Sequence, residues 1–306
     1  MKFLKTLWQF SRPHTIIGSS VSITALFIIA WADRLHLNAS NHLNMALILG
    51  AYLPTLISAL ACNIYIVGLN QIQDVGMDKI NKPYLPLAAG TLTMPQAKAI
   101  IIVCLFISLA VAAIFGRFFF VLIAVIISIG TAYSLPSWKF KKHHALAALS
   151  ITIVRGVLVN MGMMVHFLHI WNPEKYELPF HIIPLTIFVV GFSLGIAWFK
   201  DLPDMVGDAE YKIKTLALTI SPKRAFNLGI FIVTLSYLQV ILFGFLVPMP
   251  LNQWFLIGSH VLLLVIFLVR SLQLDLQQHN QIKLFYMFFW GLFFMEYIVY
   301  TLAYWV

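Results

Sequence analysis

Residues 45–69 read MALILGAYLPTLISALACNIYIVGL, and residues 70–78 continue NQIQDVGMD. The first run carries no charged side chain and is long enough to cross a bilayer as a helix, which takes about 20 mostly apolar residues. The second run places Asn70, Asp74 and Asp78 four residues apart, so the three share one face of a helix that prolongs the span. An apolar span that leads straight into a face of three oxygen-bearing side chains sets two expectations: a helical membrane protein, and a polar site at one end of its helices.

The rest of the chain agrees with the first expectation. Of its 306 residues 61% are hydrophobic and 10% charged, where a soluble domain carries about 25% charged residues. Nine segments are predicted to span, near 15–32, 45–69, 97–115, 117–135, 145–167, 181–199, 225–247, 252–270 and 284–305. None shows the ten-residue alternation of a membrane barrel, so all are read as helices. Their connections are short and contain no Pro/Gly/Ser-rich linker, so residues 1–306 are read as a single transmembrane domain. Cys62 and Cys104 fall inside apolar segments and are expected as buried, reduced thiols rather than a disulfide framework or a zinc site. The formal net charge of +9 does not point to nucleic acid, because the basic residues lie between apolar spans and not on a soluble basic module.

Those basic residues orient the chain. The N-terminus and the connections after spans 2, 4, 6 and 8 hold Lys2, Lys5, Arg12, Lys79, Lys82, Lys98, Lys139, Lys141, Lys142, Lys200, Lys212, Lys214, Lys223, Arg224, Arg270 and Lys283. The opposite side holds Arg34, Arg117 and Lys175, and Arg155 lies inside the fifth span. A split of 16 to 3 places the N-terminus in the cytoplasm and the C-terminus outside. The first residues match neither a signal peptide nor a transit peptide, and a bacterial inner membrane is the expected location.

Six of the 11 acidic residues fall in two short stretches on the cytoplasmic side: Asp74 and Asp78, then Asp201, Asp204, Asp208 and Glu210. Carboxylates at membrane depth are unfavourable and mark a site. The second stretch, Lys200-Asp201-Leu202-Pro203-Asp204-Met205-Val206-Gly207-Asp208, spaces its aspartates by three and four and would align them on one side if helical, with Pro203 in a first turn or at a kink. Mg²⁺ suits such a pair of sites, because it takes hard oxygen ligands and completes its shell with water and substrate phosphates. The plainer alternative is that the acids solvate loop ends or pair with Lys79, Lys82, Lys200 and Lys212. Zinc is disfavoured, since no Cys or His joins either stretch. A proline follows each stretch near the next span, in Thr93-Met94-Pro95 and Ser221-Pro222, with Ser221 a candidate cap. That parallel suggests two related four-helix halves.

At these residues the chain resembles the UbiA superfamily of intramembrane prenyltransferases over nearly its whole length. The resemblance rests on Ser11-Arg12-Pro13-His14-Thr15, on the run from Asn70 to Asn81-Lys82-Pro83, on Thr131-Ala132-Tyr133-Ser134-Leu135-Pro136, on Val154-Arg155-Gly156 with Asn160, and on Lys200-Asp201 through Gly207-Asp208. The Arg12 and Arg155 stretches point to the branch that uses homogentisate. Two departures stand out: Gly76 takes a position where relatives often have an acid, and Ser137-Trp138-Lys139 replaces a Pro-hydrophobic-Arg pattern. The glycine costs about 1 kcal/mol of helix propensity and removes a possible ligand.

The resemblance implies a nine-helix UbiA-type bundle and Mg²⁺-dependent transfer of a phytyl or geranylgeranyl group from its diphosphate to homogentisate, with loss of CO₂, as in tocopherol or related prenylquinone synthesis. It assigns Asp74, Asp78, Asp204 and Asp208 as metal ligands, with Asn70 and Asp201 in support. Lys139, Lys141 and Lys200 are candidates for the diphosphate, Arg12 and Arg155 for diphosphate or acceptor carboxylate, and His14, with Arg12, for recognition of the acceptor. Arg155 is the most telling of these, because an arginine inside a span needs a partner or water. Tyr133 is the aromatic residue singled out near the reacting cation. Two neighbouring readings keep the reaction and change a substrate: another aromatic acceptor such as 4-hydroxybenzoate, or a solanesyl donor. A reading from another class, an ion-coupled transporter, would place the charges near the midplane at broken helices.

Overall fold

The structure is a computed structural model that describes residues 2–37, 45, 48–171 and 178–306. Of the charges that orient the chain, Lys175 lies outside the described residues, as do the side chains of Lys2 and Arg34. Among the described residues nine helices are long and apolar enough to cross a membrane: Pro13–Asp33, Ile48–Asn81, Met94–Ile114, Arg117–Ser134, His144–Ile170, Ile182–Phe199, Pro222–Leu246, Gln253–Leu272 and His279–Leu302. They are called the first to ninth spans below. No β-strand accompanies them among the described residues, only one isolated bridge between His143 and Lys214.

Local chemistry explains several ends. Thr93 caps the third span in a reciprocal box with Gln96, with Pro95 in the first turn where no amide hydrogen is needed. Ser221 accepts from the Arg224 amide at 3.3 Å ahead of Pro222, the cap expected for the seventh span. The second span runs unbroken through the α-helix Leu53–Asn81, so the first aspartate stretch is its last turns. The fifth span is not uniform: Ile153–Gly162 is π-helical, a register that amino-acid composition does not signal.

The chain divides into two compact units that alternate along the sequence: residues 1–20, 46–150 and 204–215 in one, and 21–45, 151–203 and 216–306 in the other. These are not two consecutive four-helix halves. In the first unit Ser58 and Ser108 each donate a hydroxyl to the other's backbone carbonyl at 2.9 Å, joining the second and third spans. Tyr65 and Thr131 share a hydrogen bond of 2.9 Å between the second and fourth. Such paired hydroxyls bind helices where lipid gives little apolar driving force. Gly68 lets two side chains approach the second span closely, since a Cβ there would lie 2.5 Å from Ile101 Cγ2 and 2.8 Å from Phe10 Cζ. Gln71 donates to the Phe10 carbonyl at 2.5 Å, which seats the end of the helix Lys2–Phe10 one turn before Asp74.

The second unit has an aromatic core. Phe192 and Phe289 stack at 4.1 Å, and Phe199 meets Phe289 edge-on at 4.9 Å. Two histidine–carboxylate contacts are buried with it, His260 with Glu296 at 3.0 Å and His181 with Asp33 at 3.0 Å. Tyr300 donates to the His181 carbonyl. Cys62 is buried as expected, whereas Cys104 is only half-buried, because the third span turns much of its surface outward.

Candidate active site

The first unit holds both ends of the predicted site. Asp74 and Asp78 are buried on the last turns of the second span, with Asn70 half-buried one turn earlier on the same face. Asp204 stands in a turn, and the helix Met205–Glu210 carries Asp208 into a buried position. The expected helical alignment of Asp201, Asp204 and Asp208 is therefore not formed: residues 201–204 are turn, with Pro203 among them, and Asp208 alone of the three is helical. Asp201 is buried and pairs with Lys200 at 2.6 Å, and both belong to the second unit.

One side chain ties the two stretches together. Asn81, buried in the last turn of the second span, accepts from the Gly207 amide at 2.9 Å and donates to the Asp204 carbonyl at 2.8 Å. Position 207 must be glycine for this contact, as a Cβ would lie 2.6 Å from Asn81 Oδ1. Lysines neutralise the carboxylates: Lys82 pairs with Asp204 and Lys141 with Asp74. Asp78 lies within electrostatic range of Arg12, Lys82, Asp74 and Asp204. Pairing of acids with nearby lysines, the plainer alternative above, thus holds for Lys82 and Lys200, with Lys141 as a further case.

The Lys141 pair is enclosed, its side chains 6% and 7% exposed. Burial pushes the Lys141 ammonium below the usual lysine range, and the Asp74 carboxylate opposes that shift. The loop bearing Lys141 is fastened to the segment after Asp208, since His144 donates to the Lys214 carbonyl and Lys214 to the Lys142 carbonyl, both at 3.0 Å. Backbone strain marks the same unit: Arg12, Lys139 and Lys212 adopt left-handed conformations at φ of 51°, 36° and 54°. Such conformations in residues other than glycine cost free energy and cluster at functional sites. The Arg12 Nε is buried with no hydrogen-bond partner among the described residues. His14 and Tyr133 are half-buried in this unit, Tyr133 next to last in the fourth span.

Gly76 has a physical reason. The Tyr211 hydroxyl lies 2.2 Å from where a Cβ would stand, so the tyrosine fills the space that an acidic side chain would need. Tyr211 and Asn81 were not among the expected site residues. The signal for Asn81 was present, as it lies in the Asn81-Lys82-Pro83 part of the motif, but its partners are more than 120 residues away in sequence.

Among the described residues no three His, Cys, Asp or Glu side chains converge closely enough to hold a metal on their own. The donor set is still one of hard oxygens, with Asp74, Asp78 and Asp208 buried and Asp204 half-buried, which fits a cation that completes its shell with substrate phosphate and water.

The sequence profile described as the UbiA prenyltransferase family matches residues 21–292. The chain belongs to that family. Homogentisate phytyltransferase of Synechocystis sp. is 40% identical over all of this chain and 97% of its own length. Homogentisate geranylgeranyltransferase of Triticum aestivum is 33% identical over 97% of this chain and 72% of its own. Homogentisate solanesyltransferase of Arabidopsis thaliana is 35% identical over 98% of this chain and 76% of its own. Among solved structures, a UbiA homolog from Archaeoglobus fulgidus bound to GPP and Mg²⁺ superimposes with a TM-score of 0.65 at 16% identity, covering 97% of this chain and 99% of that one. The apo UbiA homolog from Aeropyrum pernix K1 gives a TM-score of 0.66 at 15% identity, covering 95% and 96%. The UbiA fold is therefore that of this chain.

Arg155, the remaining candidate, is in the second unit. Its Cζ lies 4.7 Å from the centroid of the Trp290 ring and 5.3 Å from that of Phe293.

Proposed function

We propose that this UbiA family member transfers a phytyl or geranylgeranyl group from its diphosphate to homogentisate, with loss of CO₂, in a Mg²⁺-dependent reaction at the membrane. The single structural observation that carries the reading is the Asn81 clamp, which joins the end of the first aspartate stretch to Asp204 and Gly207 of the second within one compact unit. The choice of homogentisate is supported by identity of 33–40% over at least 97% of this chain to enzymes named for that acceptor.

Asp74, Asp78, Asp204 and Asp208 would hold Mg²⁺, with Asn70 and Asp201 in support, and the bound ion would act as a Lewis acid toward the departing diphosphate. The remaining roles belong to the protein. Lys139, Lys141, Lys200 and Arg12 supply positive charge for the diphosphate, and the burial of Lys141 makes its charge count for more than it would in water. His14 lies at the start of the first span, beside Arg12, where a switchable polar group suits recognition of a substrate hydroxyl or carboxylate. Tyr133 offers an aromatic face toward the developing prenyl cation. Arg155 receives the acceptor carboxylate.

We read residues 1–306 as one functional domain, because the chain passes between the two units after residues 20, 45, 150, 203 and 215. The N-terminus is assigned to the cytoplasmic side on the distribution of lysine and arginine, in what we read as a bacterial inner membrane. Membranes that contain the protein, Mg²⁺, homogentisate and a panel of prenyl diphosphates test the reading, with products identified by mass. A phytylated or geranylgeranylated methylquinol is expected. Turnover only with a solanesyl donor moves the assignment along the family, and turnover only with 4-hydroxybenzoate removes homogentisate.

A further inference from the structure

Trp290, Phe293 and Tyr297 lie at positions i, i+3 and i+7 of the ninth span and so share one helical face. Within the second unit that face meets the π-helical segment Ile153–Gly162 at two points. Arg155 lies over the Trp290 and Phe293 rings, and the Tyr297 hydroxyl donates to Asn160 Oδ1 at 2.8 Å. The Asn160 amide group donates in turn to the backbone carbonyls of Arg155 at 3.1 Å and Gly156 at 2.8 Å. Tyr297 thus holds the amide that holds the turn bearing the guanidinium. Gly156 fixes the next position, since a Cβ there would lie 3.0 Å from the Val190 Cα and 3.2 Å from its nitrogen, backbone atoms that cannot swing aside.

Helical segments in π register are rare and are found at functional sites. This one carries an arginine whose Nε is buried without a hydrogen-bond partner among the described residues. None of the ion pairs among the described residues includes it. The residue still keeps part of its surface accessible. A guanidinium held over aromatic rings by its charge still has N–H groups for a ligand, and a carboxylate engages two of those N–H groups side by side. A buried N–H without an acceptor is unfavourable until a ligand supplies one.

We propose that Asn160 and Tyr297 are positioning residues that set Arg155 to receive the carboxylate of the acceptor, which makes the π-helical turn the element that selects an aromatic acid. The inference rests on the aromatic acid acceptor proposed above.

The test uses the full-length protein in membranes with Mg²⁺, homogentisate and prenyl diphosphate. Tyr297→Phe removes only the hydroxyl, and the KM for homogentisate should rise about tenfold while that for the prenyl diphosphate stays within about twofold. Arg155→Gln should show the same pattern. The double variant should be no worse than Arg155→Gln, because the hydroxyl acts through the guanidinium. Asn160→Asp, which keeps an acceptor for Tyr297 and loses the donors to the two carbonyls, is the second variant should Tyr297→Phe not accumulate. On the wild-type protein, the methyl ester of homogentisate should compete about tenfold more weakly than the free acid. An unchanged acceptor KM, a rise confined to the donor, effects that multiply in the double variant, or equal competition by the ester would each overturn the inference. Wild-type turnover of homogentisate with any of those results leaves the proposed reaction standing. Absence of wild-type turnover with homogentisate removes the proposed reaction itself.

Discussion

Asn81 and Gly207 are joined by a hydrogen bond of 2.9 Å from the Gly207 amide to the Asn81 side-chain oxygen, and the same asparagine returns a hydrogen to the Asp204 carbonyl. Replacement of Asn81 by Ala leaves the Gly207 amide without its acceptor, at a cost of about 1–3 kcal/mol, and takes one of two donors from the Asp204 carbonyl, which still accepts from the Asp208 amide at 3.1 Å. Asn81→Ala is expected to lower thermal stability in detergent and to reduce Mg²⁺-dependent diphosphate release by more than the loss of folded protein accounts for. A rate per folded molecule equal to that of the wild type would mean that the clamp does not organise the site.

The aspartates themselves are tested by substitutions with almost no steric change. Asp74→Asn and Asp208→Asn each remove an anionic oxygen from a proposed Mg²⁺ ligand, and turnover should fall roughly 100-fold or more while the protein still reaches the membrane. Wild-type turnover in either variant, or in the presence of chelator, would remove the two-motif metal site.

The buried pair in the second unit makes a stability prediction independent of the reaction. His260 and Glu296 are both 0% exposed and meet at 3.0 Å. His260→Leu strands a carboxylate in an apolar core and should cost about 3–5 kcal/mol, whereas His260→Leu combined with Glu296→Met should recover most of it. Thermal unfolding of the single and double variants in the same detergent decides the matter. Equal loss in both would show that the stranded carboxylate is not the source of the loss.

Much of this was legible in the sequence, for identifiable reasons. The nine spans follow from long apolar runs, and the extension of the second span through Asp78 follows from the four-residue spacing of Asn70, Asp74 and Asp78, because a helix is the structure in which that spacing makes a face. Local signals failed where two conformations shared one spacing: Asp201, Asp204 and Asp208 would align on a helix, but the chain turns through residues 201–204 and the helix starts at Met205. The π register around Arg155 has no signature in residue types. The Asn81 clamp and the Lys141–Asp74 pair join residues far apart in the chain, and pairings of that kind are set by packing rather than by neighbouring sequence. The space in front of Gly76 is likewise occupied by Tyr211, which nothing in the Gln73-Asp74-Val75-Gly76 run announces.

Orientation is a separate claim with a separate measurement. In a background that lacks Cys62 and Cys104, cysteines introduced at Gln96 and Asn280 should be labelled only from the cytoplasm, and one at Pro173 only from outside, because basic residues flank the spans in that sense. Pro173 lies outside the described residues, so labelling there is informative in its own right. Labelling of positions 96 and 173 from the same side would contradict the arrangement of the spans.

Decarboxylating prenyl transfer to homogentisate is followed with a carboxyl label. Homogentisate labelled in its carboxyl carbon is incubated with Mg²⁺ and phytyl or geranylgeranyl diphosphate in membranes that contain the protein, and label is followed in gas and in lipid. One labelled CO₂ is expected for each prenylated methylquinol formed, with an unlabelled lipid product, and no release without donor or Mg²⁺. A prenylated product that retains the label would contradict it.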